Sequence, residues 1–237
     1  MAALLLFSSP SLADEEIFTV GLACLGPDVC ISHEPVDFFK EIYRRAGAEA
    51  EIVPYPTWRD LKEANEGRIQ ASAVRIEDAI KKHPQLIRVD MPVALYSIHP
   101  YSADADIVID SWDQLHGLRV GVFKGMYLTK RLCDAHGGEA YEVNDVKTAV
   151  DMLRMSRLDV FIHGEIAMKT ASERFGVKLY KSPVNHSEFI YHSVNVRHAD
   201  MAPKLDKALR EMLMDGTSAR ILGEWADILP PTRVAHQ

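Results

Sequence analysis

No stretch of this 237-residue sequence approaches the roughly 18 consecutive apolar residues that a membrane-spanning helix needs. Cysteine is scarce: there are three, none in a Cys-x-x-Cys pair, so zinc-ribbon and thioredoxin-type chemistry have no support. None of the ten histidines forms a His-x-x-x-His or His-x-His pair with carboxylate support, and no metal site or cofactor is expected. Clustered Lys and Arg are also missing. With 27 basic against 34 acidic side chains and a formal charge of -7, the electrostatic footprint of a nucleic-acid binder is absent. There is no Ser-His-Asp set, no phosphate-binding Gly loop, no short-period repeat and no low-complexity segment.

What is present is the composition of a globular chain, long enough for one large domain or two small ones. Its first thirteen residues stand apart. Ala2 to Phe7 is a short apolar run, and Ser11-Leu12-Ala13 has the small-x-small form of a signal-peptidase site. Residues 1–13 therefore read as a signal peptide lacking its basic start, with Asp14 opening the mature chain and the periplasm as the expected location. Cys24 and Cys30 flank Gly26-Pro27. In an oxidising compartment that spacing admits a small disulfide, and two free thiols are the alternative. Cys133 falls in a helical pattern and reads as a buried apolar residue.

Strand and helix patterns then alternate. Ile17–Ala23 reads as a buried strand, and Val36, Phe39, Ile42, Tyr43 and Ala46 recur at helical spacing up to Gly47. A strand at Glu51–Tyr55, a short helix with Leu61 and Ala64, and a strand at Ile69–Val74 follow. A second set begins past Asp106: a strand at Arg119–Phe123, a helix from Tyr127 to Gly137, a helix capped at Asn144 with Val146, Ala149, Val150 and Leu153 on one face, and a strand at Leu158–Ile162. Phe189–Val196 reads as a long strand before two closing helices. Alternating β and α elements call for parallel sheets covered by helices. Two similar sets joined through Pro92–Pro100 predict two lobes rather than one sheet.

Five motifs follow one another between Ile17 and Trp225: Val36-Asp37-Phe38 leading to Arg44-Arg45-Ala46-Gly47, Trp58-Arg59-Asp60-Leu61 through Gly67-Arg68, and Ser111-Trp112-Asp113-Gln114-Leu115 through Gly121-Val122. Arg157-Leu158-Asp159-Val160 and Met214-Asp215-Gly216-Thr217 through Trp225 complete the set. In order and spacing they resemble the family 3 periplasmic solute-binding proteins. The resemblance implies an α/β, two-lobed type II periplasmic-binding fold: two parallel-type sheets joined by two crossover strands. Residues 14–98 plus 191–237 are the expected lobe 1, and 99–190 lobe 2. It further implies a monomeric receptor that performs no chemistry, takes up an amino acid or other small carboxylate, and presents its closed form to a membrane permease or sensor.

Several residues are candidate ligand contacts. Gly125 allows close backbone approach, and the N–H groups of Met126 and Tyr127 at a helix start are expected as free donors for an anion. Arg75 offers a fork of donors for a planar anion, or is an ordinary surface cation; the family's later Arg has no counterpart here. Where amino-acid receptors of the family carry an ammonium-clamping Asp, this chain has Gly164, flanked by His163 and Glu165. Either one of these takes over, or the ligand is not an α-amino acid. Trp58 and Tyr55 are candidates for stacking, Asp28, Ser32 and His33 lie in the first βα loop, and Tyr96 and Tyr101 flank the first crossover. Two alternatives stand beside the receptor. One is a dehydratase-like enzyme using His163 and Glu165 as an acid/base pair; the other is an interaction module whose cleft binds nothing.

Overall fold

The structure, a computed structural model, describes residues 17–24 and 33–236. The expected leader, Asp28, Cys30 and Ser32 lie outside these residues. The chain builds one β-α-β-α-β unit twice. The first comprises β1 (Ile17–Cys24), α1 (His33–Ala46), β2 (Glu49–Pro56), α2 (Asp60–Asn65) and β3 (Ala71–Ile76). After α3 (Glu77–Lys81), β4 (Leu86–Arg88) and β5 (Ala94–Ser102), the second comprises β6 (Arg119–Phe123), α4 (Tyr127–Ala135), β7 (Glu139–Val143), α5 (Val146–Arg154) and β8 (Val160–Gly164). The chain then adds α6 (Glu165–Phe175), β9 (Tyr180–Lys181), β10 (His186–Asn195), α7 (Met201–Met214) and α8 (Thr217–Leu222).

Strand order is the same in both units: the first strand lies in the middle, the second outside and the third inside, giving β2-β1-β3 and β7-β6-β8. All these pairs are parallel, so each connection must cross over, and α1, α2, α4 and α5 do so. β2 tolerates Pro54 and Pro56 because it is an outer strand with one unpaired side. β5 and β10 run antiparallel to one another over Ala94–Ile98 and His186–Ile190; β10 then continues along β3, and β5 along β8. Two parallel halves are joined by two crossover strands as expected, although not as separate sheets. The crossover strands hydrogen-bond to each other, and one continuous ladder runs through both halves.

Other expectations shift in instructive ways. The Pro92–Pro100 junction is largely strand β5, with Pro100 inside it. The cap of α5 is Asp145, whose carboxylate accepts the Thr148 N–H at 2.7 Å, rather than Asn144. Elements the pattern did not reveal carry little apolar signal. Four of the five β7 residues are exposed, and α6 buries only Met168 and Ala171.

Three buried clusters hold the fold. One joins Phe18, Val20, Phe38, Phe39 and Tyr43 to Leu205, Leu209 and Met212, and packs α1 and α7 on the first unit. Another joins Tyr101, Phe123, Val150, Phe161 and Met168 in the second unit. The third straddles both: Leu61, Ile69, Ala79 and Ile80 share it with Val120, Leu128, Leu132 and Val160. Cys133 is a buried free thiol, and Cys24 is disulfide-bonded.

His192 sits in the first core with no exposed surface. Its Nδ1 lies 3.1 Å from the Ala73 carbonyl, which can only accept, so Nδ1 carries the proton. Nε2 then accepts from the Tyr43 hydroxyl at 2.9 Å. Burial pushes the His192 pKa down to about 4. An unfolded histidine titrates near pH 6.5, so between about 6.5 and 4 the unfolded chain binds the extra proton and stability falls as pH falls. The expected loss from this residue is about 3 kcal/mol at most. Urea unfolding between pH 6.5 and 4.5 should show a shallower pH slope in His192→Gln than in the parent protein.

Candidate functional site at the seam between the halves

The carboxyl ends of parallel strands are where open α/β sheets take ligands, because helix N-termini and loop amides converge there. Here β3, β6 and β8 bring Arg75, the Gly125–Tyr127 turn and His163–Glu165 to such ends. The clearest contact across the seam is made by Gly125. Its φ of +85° is a left-handed value, and a Cβ placed on it would stand 2.6 Å from Trp58 Cα. The β6–α4 turn thus lies directly on the backbone of the β2–α2 turn. Trp58 is 49% exposed, and the Lys124 ammonium stands 5.5 Å from its ring centroid.

The two expected amide donors differ. Met126 N–H is spent on the Phe123 carbonyl at 2.9 Å, closing the turn, and its side chain packs against the second core. Tyr127 opens α4 with its ring partly exposed beneath the Lys82 ammonium, 4.4 Å from the ring centroid.

Arg75 is neither a surface cation nor an open fork. It is 8% exposed and ion-pairs with the fully buried Asp60. It also donates to the Thr57 carbonyl at 2.9 Å and the Val74 carbonyl at 2.5 Å. Asp60 additionally accepts from the Ser72 hydroxyl at 2.7 Å. Burial raises the Asp60 carboxyl above the usual range, against the pull of Arg75 and Ser72. The planar anion expected beside Arg75 is thus the chain's own carboxylate. Its Nε alone has no hydrogen-bond partner among the described residues.

On the β8 side, His163 is fully buried, with the Phe161 and Phe123 rings at 5.4 and 5.9 Å. Its Nδ1 accepts the Gly164 N–H at 2.8 Å, so Nε2 bears the proton, and that atom has no partner among the described residues. Burial pushes its pKa down to about 4. Gly164 also donates to the Tyr96 hydroxyl at 3.1 Å, and a Cβ on it would stand 2.6 Å from that oxygen. Tyr96 therefore fills the space a larger side chain at 164 would take. Glu165 points elsewhere: its side chain is 58% exposed and bonded at 2.8 Å to Lys181, which lowers its pKa. His163 and Glu165 do not converge as an acid/base pair, which corrects the arrangement the enzyme reading required.

Sequence reasoning did not single out Asp60, and placed Tyr96 at the first crossover without its contact to Gly164. Asp60 stood inside a quoted motif, but a helix-start carboxylate looks the same whether it caps, faces solvent or is buried. Tyr55 is half-buried against the straddling cluster, and His33 is exposed at the start of α1. Among the described residues, no group of three His, Cys, Asp or Glu side chains is placed to hold a metal, and no helix is long and apolar enough to cross a membrane.

This architecture defines a class: the two-halved α/β fold of the periplasmic binding proteins. No family model and no curated protein matches the chain. Solved structures do. A putative L-cystine ABC transporter protein from Listeria monocytogenes superposes with a TM-score of 0.74 at 18% identity, over 91% of this chain and 98% of that one. An arginine third transport system periplasmic binding protein from Legionella pneumophila gives 0.71 at 20% identity, over 88% and 98%. A histidine kinase sensor domain with similarity to periplasmic binding proteins gives 0.77 at 13% identity, over 92% and 99%. At these identities the likeness defines the fold.

The buried pair yields a prediction. Asp60→Ala strands the Arg75 guanidinium without a counter-charge and should cost roughly 3–5 kcal/mol. In a double-mutant cycle by urea denaturation, Asp60→Ala in an Arg75→Met background should cost far less.

Proposed function

We propose that the chain is a periplasmic solute receptor that captures a small carboxylated or otherwise polar molecule between lobe 1 (residues 14–98 and 191–237) and lobe 2 (99–190). The observation that carries this reading is the seam itself. Two α/β units joined by the β5–β10 crossover meet backbone to backbone at Gly125 and Trp58. A hinge in the crossover would part these surfaces and expose the strand ends. Among the described residues, buried donors left without a partner include the Arg75 Nε–H, the His163 Nε2–H and the Tyr101 hydroxyl, while Tyr127 opens α4 with its ring partly exposed. All can donate to an acceptor group, while Gly164 and its covering Tyr96 present no carboxylate to an ammonium. The ligand is therefore a carboxylate in which an α-ammonium group is dispensable.

In this reading the chain is exported, works as a monomer, and passes its closed form to a membrane permease or a sensor. A disulfide between Cys24 and Cys30 braces the loop after β1; Thr57 Oγ1 donates to the Cys24 carbonyl at 3.1 Å and ties that strand end to the Trp58 turn. A second reading is favoured by one observation: Arg75 is neutralised internally by Asp60. It makes the chain an interaction or sensor module whose cleft takes no ligand.

Thermal-shift screening against amino acids, polyamines, organic acids and aromatic acids separates the two. A receptor gains stability with a small carboxylate left unchanged, whereas silence across the panel favours the module. Gly125→Val adds a branched side chain at a left-handed φ and against the Trp58 backbone. It should weaken the ligand-dependent shift at least tenfold, while circular dichroism shows both lobes still folded.

A further inference from the structure

Besides the Gly125 contact, the β5–β10 crossover and the straddling cluster, side chains of α3 and α4 meet between the two halves. Arg131 on α4 ion-pairs with Asp78 on α3, and also with Glu188 on β10. One turn along each helix, Lys82, the residue after α3, places its ammonium 4.4 Å from the centroid of the Tyr127 ring at the start of α4. The partners advance in opposite directions: 78 with 131, then 82 with 127. Residues four apart share a helix face, so the two contacts run in opposite directions along one face of α3 and one face of α4. Ala79 and Ile80 of α3 belong to the same buried cluster as Leu128 and Leu132 of α4. Lys124, just before α4, adds its contact with the Trp58 ring at 5.5 Å.

We propose that this α3–α4 zipper is a latch, through which the chain's own side chains hold the two lobes closed and set the closed-to-open ratio before any ligand acts on it. The packing side is apolar, whereas the rim is ionic and partly exposed: Arg131 retains 41% of its side-chain surface and Asp78 53%. Salt weakens such exposed ion pairs as the screening length shrinks from about 10 Å at 0.1 M to about 3 Å at 1 M. The latch therefore loosens as ionic strength rises, and the lobes part about the β5–β10 crossover. One exposed ion pair shifts an equilibrium by at most about fivefold. The latch acts between lobes, so it holds whether the cleft serves a solute or no ligand at all.

Small-angle X-ray scattering of the whole chain after denaturant stripping and refolding tests this directly. At 20 mM NaCl (about one tenth of physiological ionic strength) the scattering should match the closed structure. It should shift to a larger radius of gyration when salt is raised roughly 25-fold, and also in Arg131→Ala at low salt. Asp78→Asn, which leaves the Arg131 pair with Glu188 in place, should likewise enlarge the low-salt radius. If Arg131→Ala loses its helical circular dichroism, the salt titration of the parent chain decides alone. A radius unchanged by both salt and substitution, or one already matching separated lobes at low salt, overturns the latch.

Discussion

The two parallel β-α-β-α-β units do not pair edge to edge but are tied through strands that run against them, and this constraint organises the molecule. β5 and β10 meet it by pairing antiparallel with each other and then each following the inner strand of a different unit. The pairing covers Ala94–Ile98 and His186–Ile190, as long as the β6–β7 ladder and shorter than the β1–β2 ladder. Both units therefore keep their own packing while remaining tied at one place, and their strand ends are turned toward a common seam.

At that seam the chain satisfies itself. Asp60 neutralises Arg75, Tyr96 covers Gly164, Met126 spends its amide on the Phe123 carbonyl, and Lys181 holds Glu165. The first three follow from the cost of leaving a buried polar group unpaired or a buried charge without a partner, whereas the exposed Glu165 carboxylate is solvated in any case. What is left over at the buried wall is donor-rich: Arg75 Nε and His163 Nε2. Two neutral, buried histidines, His163 and His192, make the same point about burial in both halves. Their tautomers are set by a backbone N–H in one case and a backbone carbonyl in the other.

Much of the fold was legible because apolar periodicity was strong where elements were buried. The α5 stripe of Val146, Ala149, Val150 and Leu153 is fully buried, and β6 and β8 are nearly so. Legibility failed where packing draws on few residues: β7 is exposed, α6 buries two side chains, and α3 has only five residues. The site was less legible. Gly125 was marked by its turn, but Arg75 and Glu165 were read as donors or acids without knowing their partners.

The sequence alone determined two repeats of alternating strands and helices, the glycine at the β6–α4 turn and the missing carboxylate at position 164, because periodicity and backbone freedom are local properties. Only the tertiary structure decided that the crossover strands pair with each other, that Asp60 reaches Arg75 fifteen positions away, and that α3 meets α4 across the seam. Those contacts join residues far apart along the chain. Which of two charges finds the other depends on where the folded backbone places them.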